Sequence, residues 1–307
     1  MAGITDVPFR RIVASFGAGL VVSEMVASQE MVQAKPGMRE RAELGFDEAR
    51  TAVQLAGREI HWMAEAARMV AANGARIIDI NMGCPAKKVT GGFSGSALMK
   101  DPDHALRLVE AMTSAVDVPV TLKMRLGWDD GRLNAPEIAA RAVEAGVAMV
   151  TVHGRTRCQF FTGAADWAAI GEVVDAVNVP VLANGDIVDG QTGRDALRAS
   201  GAAGVMVGRG AQGAPWRLAE IAAELWDVPA PEIPEGADLA DLVARHYEAA
   251  LSFYGRDLGA RVVRKHLDWY MDTARTAPAL RREVLTAPPE RVIPLIPLAC
   301  VSHGIAA

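Results

Sequence analysis

Along most of the chain, short runs rich in β-branched residues alternate with longer stretches in which Ala, Leu and Glu recur at helical spacing. The runs occupy 19–23, 51–55, 76–81, 118–123, 149–153, 179–184 and 204–208. They return at intervals of roughly 30 residues, the size of one strand–helix unit. Alternation of this kind predicts βαβ units joined into a parallel sheet. Two runs begin on the same phrase, Val118-Pro119-Val120 and Val179-Pro180-Val181, and two follow helix-ending glycines, Gly74 and Gly146. Seven such runs fall one short of a (β/α)8 TIM barrel, and Met1-Ala2-Gly3 reads as the loop after a strand. The expectation is a barrel whose first strand is truncated, with the missing strand lying before residue 1.

Polar side chains close the apolar runs. Glu24, Gln54, Asn81, Lys123, His153, Asn184 and Arg209 each stand at or just past a run's C-terminal end. In a closed barrel those ends meet on one rim, where active sites lie. After Pro229, Pro231 and Pro234 the strand signal stops, and the pattern from 237 to about 276 is helical. Two domains are therefore expected, a barrel over 1–230 and a small all-helical domain over 235–307.

The chain has 307 residues, half of them apolar, which suffices for one large core and a smaller one. A net charge of −5 excludes a globally basic nucleic-acid binder, so a polyanion would have to meet local Lys and Arg clusters. Cys84, Cys158 and Cys300 make a poor disulfide framework and suit a reducing compartment. No short His or Cys spacing suggests a metal, no signal-peptide core opens the chain, and no apolar run reaches membrane length. These features point to a cytoplasmic protein, and we expect it to act as a monomer.

Several segments could carry chemistry. Asn184-Gly185-Asp186 and Gly208-Arg209-Gly210 occupy the barrel's usual phosphate position, where backbone N–H groups, close glycine approach and a cation favour an anion. Lys123, in VTLKMRLGW, suits a Schiff base, an anionic cofactor edge, or simply a rim Lys reaching water. His153 beside Lys123 and Gln54 suits a polar ring system, and Arg155 and Arg157 follow it. In DINMGCPAKKV, Cys84 sits in a turn stiffened by Pro85, with Lys87 and Lys88 adjacent. That setting favours a reactive or proton-donating thiol over an inert buried one. The glycine-rich stretch from Gly91 to Ser96 lacks nucleotide-binding order and reads as a mobile loop. Farther on, Arg261, Arg264, Lys265 and His266 accompany Trp269 and Tyr270, and Arg261, Lys265 and Trp269 share a helical face. Cations beside aromatics suit RNA phosphates and bases, or form a solvated face over a core.

Taken together these segments resemble the tRNA-dihydrouridine synthase family, most closely its bacterial B-type branch. The resemblance rests on AGITDVPFR, SEMV, QLAG, DINMGCPAKKV, GGFSGSALMKDP, VTLKMRLGW, TVHGRTR, ADW, ANGDI, VMVGRGAQGAPW and RKHLDWY, in order along nearly the whole chain. It implies an FMN barrel followed by a helical tRNA-binding domain, with NADPH as reductant. It places FMN against Met1, Ala2, Gln54, Lys123, His153, Asn184, Gly185, Asp186, Gly208 and Arg209, and makes Cys84 the proton donor to a D-loop uridine. Asn81, Lys87, Lys88, Arg155, Arg157, Arg261, Arg264, Lys265 and His266 are the expected substrate or tRNA contacts. The tail after Pro288 does not look like the amphipathic terminal helix the family implies. Rival readings remain. A small-molecule FMN barrel of the dihydroorotate dehydrogenase kind would not need the basic–aromatic helix. A Schiff-base aldolase would not need Cys84, and a non-enzymatic RNA-binding protein would not need the polar rim.

Overall fold

The computed structural model describes residue 1, residues 3–34 and residues 51–301. The expected contact at Ala2 and the last residues of the tail lie outside the described residues. The chain folds as two compact units. One comprises Met1–Arg10 with Gly19–Gly208, the other Arg11–Ala18 with Arg209–Ala307. The division thus falls at Gly208–Arg209, upstream of the proline-rich segment near Pro229.

The first unit is built on strands β1 (Val21–Val22), β2 (Val26–Ala27), β3 (Thr51–Ala56), β4 (Ile77–Met82), β5 (Val120–Arg125), β6 (Met149–His153), β7 (Val181–Asn184) and β8 (Gly204–Met206). All pairings are parallel, and the order β1-β3-β4-β5-β6-β7-β8 follows the sequence, with β2 also on β3. Helices Ile60–Ala72, Pro102–Thr113, Ala135–Glu144, Ala168–Ala176 and Gly190–Ser200 carry the crossovers between successive strands from β3 onward. A sheet that adds each strand beside the last, always by a helical crossover, winds in one direction only. That is the (β/α)8 barrel rather than a doubly wound sheet, whose order reverses midway. β1 and β2 occupy one barrel position: Val21 pairs with Thr51 and Val26 with Leu55, so one extra residue bulges between them. Ser23 bridges the bulge, its hydroxyl accepting the Gln54 N–H at 3.0 Å.

Strands 118–123 and 179–184, as read from sequence, begin two residues later in the structure, at Val120 and Val181. Pro119 and Pro180 have no N–H to give a ladder, but their carbonyls still accept from Ile78 and Val150. β5 also runs on to Arg125, so Lys123 lies inside the strand instead of at its end.

Register partners in a parallel ladder face the same way. Gln54, Asp79 and Thr121 therefore form one polar row, Asn81, Lys123 and Thr151 a second, and Arg125, His153 and Asn184 a third. The alternating residues Ile78, Ile80, Met82, Leu122, Met124, Val150 and Val152 are fully buried on the opposite face. The sheet is thus apolar towards its helices and polar within.

The second unit packs helices Gly236–Tyr254, Arg256–Thr273, Pro278–Thr286 and Pro289–Cys300 around Trp216, Leu239, Val243, Tyr247, Leu267 and Ile296. A Cβ on Gly259 would lie 2.5 Å from the Ala250 carbonyl oxygen, so the absence of a side chain lets the first two of these helices touch. The tail corrects the sequence reading: 289–300 is an amphipathic helix burying Val292, Leu295, Ile296, Ala299 and Cys300. Its prolines, Pro294 and Pro297, stand on the exposed face, where the carbonyls they leave unbonded can reach water. Hydrogen bonds fasten it, from Thr276 Oγ1 to the Ala299 carbonyl at 2.6 Å, from Tyr247 OH to the Pro289 carbonyl at 3.1 Å and from Arg256 to the Glu290 carboxylate. Ile296→Ala should accordingly destabilise the protein by about 2–5 kcal/mol, read as a lower urea midpoint. Leu298→Ala, on the exposed side, should change it by less than about 0.5 kcal/mol.

Candidate functional site

The β4 loop is held by a directed chain of hydrogen bonds. Asp79, buried on β4, accepts from Thr121 Oγ1 at 2.6 Å and from Gln54 Nε2 at 2.7 Å. Gln54 thereby turns its Oε1 to Asn81, whose Nδ2 donates to it at 2.8 Å. Asn81 is left with Oδ1 facing the loop, where it accepts the N–H groups of Gly83 at 3.2 Å and Cys84 at 3.0 Å. An ionised carboxylate can only accept, so Asp79 sets the direction of every amide in the series. Burial raises its carboxyl from 3.8 to about 6, against the lowering effect of the Thr121 and Gln54 hydrogen bonds.

The far side of the Cys84 turn is held by the glycine-rich stretch that reads as a mobile loop in the sequence. Its end is packed, with Gly95 to Met99 buried in a 3-10 helix, Gly95–Lys100, while Gly91 and Phe93 are exposed. Ser96 donates to the Cys84 carbonyl with both its N–H, at 3.2 Å, and its Oγ, at 2.9 Å. Gly95 adopts φ +61°, and a Cβ there would come within 2.9 Å of that same carbonyl oxygen. The Cys84 side chain is half-buried, with Lys87 and Lys88 exposed on the short helix that follows.

Lys123 Nζ donates to Asn184 Oδ1 at 2.9 Å, and Asn184 Nδ2 donates to the Met206 carbonyl at 2.8 Å. Burial lowers the Lys123 ammonium to about 8, with Asp79 acting in the opposite sense. His153 is pushed down to about 2, first by burial and then by Lys123, Arg125 and Arg155, so the imidazole is neutral. Its Nε2 lies 3.3 Å from Arg155 NH1. A guanidinium only donates, so Nε2 accepts and Nδ1 carries the proton. Lys123 and Arg125 lie close enough to His153 for their positive charges to disfavour its protonation.

Two arginines expected or available for ligand contact serve the protein instead. Arg155 is 1% exposed and directs all five N–H groups internally: to Asp186 twice, to His153, and to the Thr162 and Gly163 carbonyls. It anchors the Gly185–Asp186 turn, so direct contact with a substrate, as expected for Arg155, does not fit its geometry. Arg125, which the sequence reading passed over, donates to the carbonyls of Gly83, Thr156 and Phe160 and so ties two loops together. Its signal was available, since it stands two residues after Lys123 and hence on the same strand face. Arg157 lies over the rings of Trp128, at 4.7 Å, and Phe160, at 4.6 Å.

The remaining expected residues separate. Met1 and Gly208 are near one another, as a Cβ on Gly208 would lie 3.7 Å from the Met1 sulfur. Arg209 is exposed and opens a 3-10 turn, Arg209–Ala211, in the second unit. In that unit Arg261 is exposed, Arg264 and Lys265 are half-buried, and Arg264 donates to the Ala287 carbonyl at 3.3 Å. His266 is 1% exposed among His246 and Trp269, so it belongs to the core and is not available to RNA. The i, i+4 spacing identified the basic face but not the neighbouring residue that points inward. Among the described residues no group of His, Cys, Asp and Glu could hold a metal, and no helix is long and apolar enough to cross a membrane.

Residues 1–289 match the model of a protein family described as Dihydrouridine synthase (Dus). The chain is 66% identical, over 94% of its length and 88% of the other's, to a probable tRNA-dihydrouridine synthase of Rhodobacter capsulatus. It is 46% identical, over 88% of its length and 81% of the other's, to tRNA-dihydrouridine synthase B of Xanthomonas campestris. Among solved structures, a mandelate oxidase aligns at TM-score 0.43 and 22% identity over 81% of this chain and 69% of its own.

Between pH 3.8 and about 6 the folded chain keeps the Asp79 proton that the unfolded chain has released. Stability should therefore fall as pH rises through that window, by about 3 kcal/mol in all from this group. Asp79→Asn should remove that component, so urea midpoints measured from pH 4 to pH 7 should vary less in the variant than in the wild type.

Proposed function

The chain belongs to the dihydrouridine synthase family, and from that premise we propose that it reduces the C5–C6 bond of D-loop uridines in tRNA to dihydrouridine, using FMN and NADPH. The observation that carries this reading is the thiol of Cys84, fixed from both sides of its turn and set within electrostatic range of Lys123 and Arg125. The residues present suit a flavin. A buried cation, a neutral imidazole with a proton on Nδ1 and the Gln54 amide match a flat ring with a polar edge, while Asn81 is assigned to the substrate side. FMN, when bound, supplies the hydride, taken from NADPH and passed to C6 of uracil.

Lys123 would lie along the flavin's anionic edge, held in place by Asn184, and His153 would donate from Nδ1. Gly208 would allow close backbone approach to the phosphate, and Gly185 and Arg209 take their phosphate roles from the motif alone. Hydride at C6 leaves negative charge towards C5 and O4, and Cys84 delivers the proton to C5 that completes the reduction. The thiolate so formed is returned to the thiol by a proton from solvent. The uridine must leave the RNA stack to reach the thiol, as any base undergoing chemistry must. Lys87 and Lys88, exposed beside the Cys84 turn, suit its phosphates. In the helical unit the exposed or half-buried Arg261, Arg264 and Lys265 suit the tRNA backbone.

Two measurements test this reading. Purified protein should show a flavin absorption band and should convert uridine in unmodified tRNA when given NADPH. Cys84→Ala should keep the band and its bleaching by NADPH, yet reoxidise with tRNA about 10²–10⁴-fold more slowly. Wild-type reoxidation in that variant would remove Cys84 from its assigned role. For the helical unit, Arg261→Glu with Lys265→Glu should weaken tRNA binding and flatten its dependence on salt, leaving tRNA-independent NADPH oxidation unchanged. An unaltered salt slope would make this face merely structural.

A further inference from the structure

Among the described residues of the barrel unit, the large aliphatic and aromatic side chains that stand exposed are Ile60, Phe93, Leu133, Phe161 and Val188. Their distribution is not scattered. Ile60 follows β3, Phe93 follows β4, Leu133 follows β5, Phe161 follows β6 and Val188 follows β7, each before or at the start of the next crossover helix. Five consecutive strand-to-helix loops thus each present one exposed apolar side chain, all on the rim that carries Cys84 and Lys123. Among the described residues of this unit, none of this class stands exposed on the helix-to-strand loops of the opposite face or on the outer helices beyond their first residue. Isolated exposed apolar residues need no explanation, but a set confined to one rim does.

The two aromatic members are the most informative. Phe93 is 65% exposed, in the loop that also carries Lys87 and Lys88. Phe161 is 50% exposed, yet one side of it meets the site: its ring centroid is 6.4 Å from that of His153 and 5.5 Å from the Arg125 guanidinium carbon. It stands at the lip of the catalytic mouth, with its remaining surface towards solvent. The connection after β4, from Gly83 to Asp101, carries Lys87, Lys88 and Lys100 against a single acidic residue, Asp101, which caps the following helix. The other loops of the rim carry acidic residues as well. Glu59 pairs with Arg58 after β3, Asp129 accepts the Gly131 N–H after β5, and Asp189 caps the helix after β7. The positive side of the rim is therefore the one that carries Phe93. Flat apolar rings beside exposed lysines, on a mouth that must admit an extruded base, match single-stranded RNA, whose bases offer faces to stack and whose phosphates seek cations.

We propose that Phe93 and Phe161 are stacking platforms for nucleobases of the tRNA loop that flank the extruded uridine, with Lys87 and Lys88 holding the phosphates on the Phe93 side. This deepens the proposed function and rests on it. Extruding one base costs its neighbours their stacking, and aromatic rings at the lip return that contact. Stacking is sequence-tolerant, so the platform would favour an open loop over any particular base beside the target.

The test is binding of an unmodified tRNA transcript by the flavin-loaded protein, across a salt series, for wild type, Phe93→Ala, Phe161→Ala and the conservative Phe93→Trp, Phe161→Trp, Phe93→Leu and Phe161→Leu. Each Ala variant should raise Kd about 5- to 100-fold, with the slope of log Kd against log salt unchanged because no charge is lost. Trp should restore wild-type affinity and Leu should not. Unchanged affinity in both Ala variants would overturn the proposal and leave the rim to a protein partner or a second copy. Full rescue by Leu would overturn it too, by reducing the rings to apolar packing. Loss of flavin from the Phe161 variants would reassign that ring to the cofactor pocket, while Phe93 would still decide the stacking role. Failure of the wild type itself to bind or modify tRNA would defeat the proposed function and not this inference alone.

Discussion

The site depends on one buried carboxylate that can only accept. Asp79 takes hydrogen bonds from Thr121 and Gln54, and by doing so orients Gln54, then Asn81, then the backbone of the Cys84 turn. Amides can be turned end for end at little cost, and a chain of them has no preferred sense by itself. A fixed acceptor at one end removes that freedom. The price is a carboxyl held in surroundings that raise it to about 6, which is acceptable only because two donors and a nearby ammonium compensate.

Buried cations brace the rest of the mouth in a similar way. Arg155 exhausts its donors on the β6 and β7 loops, and Arg125 ties the β4 loop to the β6 loop. Guanidiniums engaged by several acceptors make these loops rigid, because any movement would break several charge-assisted bonds at once. Asp186, in the left-handed region at φ 55°, is held there by Arg155 and by the Ala165 N–H. Loops braced in this way can present Cys84 and His153 at defined positions without a ligand to order them. That preorganisation is what the proton-donor role proposed for Cys84 demands.

The helical unit follows a different logic. Its core is apolar, its helices meet at a glycine, and the proline-bearing tail helix completes the packing. Here the energy comes from burial, and the cations are left mainly on the outside. The difference is physical: the barrel rim is organised by buried polar groups that orient one another, whereas the helical unit is held by an apolar core.

Strand-and-helix alternation, the spacing of the apolar runs and the polar residues that close them established the barrel, its rim and the residues gathered there, because period and turn chemistry are local properties of a chain. The motif around Cys84 was likewise local. Depth and direction were not. The sequence placed Lys123 at a strand end, but the ladder carries β5 to Arg125 and sets Lys123 inside, a consequence of pairing with β4 and β6. Arg155 and Arg157 look equivalent in HGRTR, yet one is buried on Asp186 and the other lies over Trp128, because their partners come from remote loops. His266 reads as part of a basic cluster until packing turns it into the core, and the sequence does not show that the end of the glycine-rich loop, Gly95-Ser96, is buried against the Cys84 carbonyl. The tail did not look like an amphipathic helix in the sequence, and only its fit against the other helices made that helix favourable. In each case the deciding contact lies far away in sequence, so only the tertiary structure could supply it.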